Sequence, residues 1–326
     1  MNKLIQTTEQ KKIEKKIWWR LLKFFIVLAA FSFLAYKLLS FKQYNELSSQ
    51  WKQMPDSQFW WLIVVFMLLP FNWFLEAVKW KQLISKIQKI NLQNSVRGVL
   101  AGISTGFFTP NRVGDLIGRV MFLQEENRKS GVTLSILNSL TQNIILVFCG
   151  IPASILYFYY TAGDINPNKT GYLILVVVSL LIFGLIYFAL PTWSTRIMKS
   201  KLSLKIKQFM DCLTNYNQRD LLQIMAISFC RYIVFCIQLY FMFRFFSVDI
   251  SPLQALIAIP TTYLLITFTP SFALTDAAVR SSYAVLIIGA FSSQTVNIAL
   301  ASVCIWMVNF VIPMLVGSVM LMRKIL

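Results

Sequence analysis

The 326-residue sequence contains no histidine and only 13 acidic residues. Without imidazole, the usual proton shuttle near neutral pH and the commonest metal ligand are missing. That excludes histidine-based catalytic triads and histidine-bound zinc. Charged residues of both signs make up 13% of the chain, against about a quarter in a soluble domain. No GxxxxGK[ST] phosphate loop occurs, which excludes ATP hydrolysis by that route. The five cysteines form no CxxC pair: Cys149, Cys230, Cys236 and Cys304 fall in apolar segments and Cys212 in a basic stretch. They read as small apolar fillers, neither a disulfide framework nor a metal site, and no cofactor is expected.

What is present is apolar. Hydrophobic residues make up 57% of the chain, aromatic ones 15%, and the mean hydropathy is +0.62. Apolar runs of about twenty residues, enough to cross a bilayer core as a helix, alternate with clusters of charge. The sequence therefore predicts an all-α, polytopic membrane bundle forming a single transmembrane domain over 1–326. Six segments read as spanning helices: Trp18 to Leu39, Phe59 to Val78, Val132 to Tyr160, Gly171 to Leu190, Leu221 to Phe246 and Thr295 to Met322. The first contains Lys23 and Lys37 and lacks a clean cleavage site, so it reads as an uncleaved helix and not as a signal peptide. The net charge of +18 would suggest nucleic acid for a soluble protein. In a membrane protein it is explained by cytoplasmic loops held at anionic headgroups, and no nucleic-acid partner is expected.

Two other apolar regions are interrupted. Ser95 to Leu123 breaks at Thr109 and Pro110, and Pro252 to Ala290 breaks at Thr269 and Pro270, where proline removes a backbone donor. If each region crossed once, the basic stretch Thr192 to Asp220 would lie outside, against the positive-inside rule. If each enters and leaves by one face as a re-entrant hairpin, the basic loops and both termini become cytoplasmic, and only Lys42, Lys52 and Lys169 lie outside. A pair of full crossings at either site preserves the same parity. Two cytoplasmic stretches carry apolar residues at helical spacing among lysines, Trp80, Leu83, Ile84 and Ile87, and Leu202, Ile206, Phe209 and Leu213. They read as helices in the headgroup plane.

The two breaks carry the same letters. Phe108, Thr109 and Pro110 precede Asp115 and Arg119, and Phe268, Thr269 and Pro270 precede Asp276 and Arg280, at offsets of 160 and 161 residues. The expectation is an inverted repeat, about 18–160 and about 171–322, each half reading helix, helix, broken hairpin, helix. A chain break in hydrocarbon strands backbone polar groups, so both breaks should face protein or a wet cavity. Asp115 with Arg119, and Asp276 with Arg280, stand four apart on a helical face, and Arg112 adds charge beside the first break. Clustered arginines suit a phosphate through bidentate hydrogen bonds. The alternative is that each pair is a structural salt bridge. Arg231, near the middle of its segment, should meet an acid or an anionic ligand. Asn138 and Gln142, and Gln238, are candidate cavity-lining residues. Glu76 and Arg244 read as snorkelling near helix ends, and Asn72, Ser302, Asn309 and the Pro313 kink as helix packing.

At these residues the chain resembles the transmembrane, flippase-like domain of lysylphosphatidylglycerol synthases, also found as stand-alone membrane proteins. TPNRVGDLIGR, Thr109 to Arg119, is similar to that family's TPGRxGE segment, with Asn111 in place of glycine and Asp115 in place of glutamate. The second proline-led segment, Phe268 to Arg280, and the helix count extend the resemblance over nearly the whole chain. In two-part members the membrane portion moves aminoacylated phospholipid and a soluble C-terminal domain makes it. Here Leu326 follows the last helix closely, so lysyl transfer is not expected.

The resemblance implies a flippase or scramblase of a phospholipid or a polyprenyl-phosphate-linked lipid, a transporter and not an enzyme. In the substrate site Arg112, Arg119, Arg231 and Arg280 would contact the headgroup, with Asp115 and Asp276 holding the arginines or carrying coupled protons. The alternatives are a membrane-embedded lipid transferase and an assembly partner of a cell-envelope enzyme. The expected location is the bacterial inner membrane, with membrane lipids as partners and a homo-oligomer or an envelope-synthesis enzyme as a further one.

Overall fold

The computed structural model describes residues 55–107, 109, 112–161, 169–200, 207, 210–270 and 273–323. The first expected span, Trp18 to Leu39, together with Phe108, Pro110 and Asn111, lies outside them, as do Leu202, Ile206 and Phe209. Among the described residues every regular element is helical. In chain order these are α1 (Phe59–Ile84), α2 (Leu92–Phe107), α3 (Gly114–Val120), α4 (Arg128–Thr161), α5 (Lys169–Lys199), α6 (Gln218–Phe245), α7 (Pro252–Phe268), α8 (Ala273–Ile288), α9 (Thr295–Trp306) and α10 (Ile312–Arg323).

Five stretches are long and apolar enough to cross a membrane: Asp56–Ile84, Glu125–Thr161, Val176–Lys199, Gln218–Phe245 and Thr295–Met322. Their outer faces carry exposed apolar side chains such as Phe66, Met67 and Phe71 on α1 and Leu181, Ile182 and Leu185 on α5. Such a surface is stable against lipid and unfavourable against water. By contrast, α2 has 16 residues and α7 has 17, about 24–26 Å of helix, short of the roughly 30 Å core.

The helices pair in a crossed pattern. The first hairpin, α2 with α3, packs on α10, and the second, α7 with α8, packs on α4, while α1 and α6 lie against each other. Apolar burial drives little association in lipid, so small residues and polar links carry much of the specificity. Gly98, Gly102 and Gly106 on α2 recur every four residues, as do Gly114 and Gly118 on α3. A Cβ on Gly118 would run into the Ala101 carbonyl and the Thr105 hydroxyl. Ser104 Oγ donates to the Met314 carbonyl at 2.6 Å, tying α2 to α10, and Ser95 Oγ donates to the Ala77 carbonyl at 2.5 Å, tying α2 to α1. Between α9 and α10 the chain winds as a π-helix over Met307–Val311, just before Pro313. A π turn of this kind accommodates a proline that supplies no N–H.

Several expectations are corrected. No proline or glycine interrupts the chain between Val78 and Ile84, so α1 continues through it. Trp80, Leu83 and Ile84 are buried in a protein core with Tyr216, Leu213, Cys212 and Ile224, and do not lie in a headgroup plane. Leu213 belongs to the same core, and the Tyr216 hydroxyl donates to the Leu83 carbonyl. The presumed loop from Thr192 is helical as far as Lys199, because α5 runs through Pro191. The second arm of the first hairpin, α3, has only seven residues, half the length of its counterpart α8 or less.

Candidate functional site

The two breaks end in matching threonines. At the first, the Thr109 hydroxyl accepts from the Gly114 N–H at 2.7 Å and lies 3.1 Å from the Gly106 carbonyl. At the second, the Thr269 hydroxyl meets the Leu265 carbonyl and the Tyr283 hydroxyl, each at 2.9 Å. Groups stranded by the missing helix turns are thus met by side chains. Arg112, within the first break, takes φ 59°, the left-handed region that an arginine rarely occupies. That conformation holds its guanidinium 3.8 Å above the Phe310 ring of the π turn and 3.1 Å from Asp276.

Both breaks open on a cavity of about 610 Å³ between the hairpins, lined also by α1, α4, α6, α9 and the π turn. Its wall holds four arginines, Arg112, Arg119, Arg231 and Arg280, and three acids, Glu76, Asp115 and Asp276. Asn138, Gln142, Thr109, Thr269 and Pro270 are on the wall as well. Gln238 is not: it is fully buried between α6 and α1, where its Nε2 donates to the Val65 carbonyl at 3.2 Å. The reason is helical phase. Leu239, the next residue of α6, lines the cavity, and Gln238, turned about 100° from it around the helix, faces α1.

The charged groups form two clusters. In the first, Glu76 is 2% exposed and takes a donor at every position. Its Oε1 accepts from Arg119 at 2.5 Å and from Asn138 at 2.9 Å; its Oε2 meets Arg231 and Lys79, the latter at 3.1 Å. Arg119 also holds both oxygens of Asp115, at 2.9 and 3.0 Å through Nε. Lys79 is fully buried, with Ser228 Oγ 3.2 Å away. Arg231 donates to Asn72 at 2.9 Å and to Gln142 at 3.3 Å. In the second cluster Asp276 Oδ2 accepts from Arg112 at 3.1 Å, Arg280 at 3.0 Å and Trp306 Nε1 at 2.9 Å. Phe310 lies beneath both Arg112 and Arg280, the second guanidinium 4.6 Å from its centroid.

The reading of Glu76 as a snorkelling helix-end residue is overturned. Because α1 runs on to Ile84, Glu76 sits two turns inside its end, turned to the bundle interior. Asn72, Ser302 and Asn309, read as packing residues, line the cavity. Trp306 and Phe310 carried no sequence signal that set them apart from other aromatic residues. For Glu76 and Lys79 a signal existed: an acid and a base three apart in an apolar run with no helix breaker after them.

A family model described as the lysylphosphatidylglycerol synthase TM region matches residues 20–317. The chain belongs to this family. Membership in the lysylphosphatidylglycerol synthase transmembrane family, with the apolar helices, makes it an integral membrane protein with a membrane lipid-related function. The chain is also similar to N-acetyltransferase 8 of Rattus norvegicus, 32% identical over 74 residues, 22% of this chain and 33% of that protein. It thus spans about a third of the length of that curated relative. No solved structure matches the chain.

Proposed function

We propose that this protein is a lipid translocator, a flippase or scramblase, passing the phosphate headgroup of a phospholipid or a polyprenyl-phosphate-linked lipid through the chamber while the tails stay in lipid. One observation carries the reading. Four arginines from both halves of the chain converge on a single cavity that holds, among the described residues, three acids, in a protein whose outer faces suit lipid. Guanidinium groups bind phosphate by paired hydrogen bonds, and their cationic excess inside a membrane is tolerated best beside an anion.

The repeated hairpins suit alternating access. The crossed pairing of hairpin one with α10 and hairpin two with α4 is what two inverted halves would produce, and rocking one against the other would open the chamber to each face in turn. In this topology the lysine-rich ends face the cytoplasm. The buried oxygens Asn138 Oδ1 and Asn309 Oδ1, both on the cavity wall and without a hydrogen-bond partner among the described residues, would accept from headgroup hydroxyls.

The test uses purified protein in liposomes with a headgroup-accessibility readout. Translocation predicts faster appearance of the labelled headgroup on the opposite leaflet, with the lipid chemically unchanged. A new lipid species would instead make the protein a transferase, and neither result would leave it an assembly partner with structural ion pairs.

A further inference from the structure

We infer that the cavity selects a phosphate group carrying two negative charges, held between Arg112 and Arg231; this rests on the translocator reading and narrows its substrate. Among the described residues, every acid on the cavity wall has a cation on its own helix. Glu76 has Lys79 at i+3, Asp115 has Arg119 at i+4, and Asp276 has Arg280 at i+4, at 3.1, 2.9 and 3.0 Å. Helix geometry alone brings these partners together, and the three pairs sum to zero charge.

Arg112 and Arg231 are what remains. Each reaches an acid that already has its partner, Arg112 across the chamber to Asp276 and Arg231 to Glu76. Each is also more exposed than its competitors. Arg231 is 15% exposed against 6% for Arg119 and 0% for Lys79, and Arg112 is 44% exposed against 16% for Arg280. Drawing either arginine toward a ligand leaves a neutral pair behind, whereas drawing away Arg119 or Arg280 would part an acid from its own-helix cation.

Two uncompensated guanidinium charges inside a membrane are unfavourable, and a dianion removes both. A phosphodiester, with one charge, leaves one arginine unmatched. The class indicated is therefore a terminal phosphate monoester or a doubly charged diphosphate diester, in preference to an ordinary phosphodiester. Guanidinium forks suit either through paired hydrogen bonds.

The experiment compares glycerol 3-phosphate with glycerophosphoglycerol at pH 8, where the monoester is doubly ionised and the diester singly. The readout is the melting temperature of the purified full-length protein, titrated with each probe. Glycerol 3-phosphate should bind about tenfold tighter, the factor expected for one added hydrogen bond between charged groups. Arg112→Gln and Arg231→Gln should each erase that preference, and Arg112→Lys should restore part of it. Equal or tighter binding of the diester overturns the inference, as does a preference that survives both glutamine variants. The wild-type comparison needs no variant, and Arg112, being half exposed, keeps the variant arm open if Arg231→Gln does not fold.

Short-chain phosphatidic acid separates the sources of the same chemistry. Tighter binding than glycerol 3-phosphate assigns the site to a lipid headgroup, and equal affinity to a soluble phosphate; the charge preference stands in both cases. Lipid movement in liposomes without a preference for the dianion sinks this inference and keeps the translocator reading, and the preference without movement does the reverse.

Discussion

In the first hairpin α2 meets α3 through glycines, whereas the second hairpin carries side chains at the corresponding places. At the 160-residue offset Gly98, Gly102 and Gly106 become Ala258, Thr262 and Ile266, and at 161 Gly114 and Gly118 become Thr275 and Val279. The first hairpin is consequently a close-packed wedge with a seven-residue second arm, and the second has a sixteen-residue arm. The ion pairs follow the same division. Asp115 and Arg119 are locked into a network with Glu76, Lys79 and Arg231, while Asp276 and Arg280 meet Arg112, Trp306 and Phe310. Both copies border the chamber, the first tied to the acid and base of α1 and the second to the arginine of the first break and the aromatic side chains of α9 and the π turn.

The largest expected effect breaks the wedge. Gly118→Leu should cost about 3 kcal/mol or more, since the added side chain meets the Ala101 backbone, which cannot yield. Size-exclusion chromatography and thermal melting of the variant read this directly, and Val279→Leu in the second hairpin is the matched control with little loss expected.

Next comes the contrast between the arginines. Arg119→Gln takes from Asp115 the cation it pairs with, removes one of the three cations on the buried Glu76, and should destabilise the fold by about 3 kcal/mol. Arg280→Gln should cost about 1 kcal/mol, because Asp276 keeps Arg112 and Trp306. Equal melting temperatures for the two variants would erase the distinction between the hairpins. Third, Arg112→Gln should change the melting temperature little and abolish lipid movement, whereas normal movement would remove Arg112 from the substrate path.

The smallest effect concerns the buried core around Cys212 and Tyr216. Cys212 lies outside the spanning segments, and burial pushes its thiol up to about 11. A raised thiol pKa keeps the reactive thiolate scarce until pH approaches that value, so maleimide labelling of Cys212 at neutral pH, read by peptide mapping, should be slow in the folded protein and fast after denaturation. Rapid labelling of Cys212 in the native protein would contradict the core that joins Trp80, Leu83 and Ile84 to Tyr216.

The membrane bundle, the two breaks at Thr109 and Thr269 and the paired charges after them were legible because each is a local property. Apolar run length, the lost N–H of proline and the four-residue spacing of Asp and Arg are all set within about one helical turn to one span. The end of α1 was misread for the same reason. Lysines beside Trp80, Leu83 and Ile84 look interfacial along the chain, and only the apposition of residues 212–224 makes that segment a core.

By itself the sequence determined where helices form, where they must break and which acids and bases share a helical face, because backbone geometry and solvent decide those locally. Only the tertiary structure decided that Glu76 is the meeting point of Arg119, Arg231 and Lys79, that Gln238 faces α1 instead of the chamber, and that Phe310 underlies two arginines. Those outcomes depend on the rotation of each helix against neighbours distant in sequence, and side-chain packing across the whole bundle fixes that rotation.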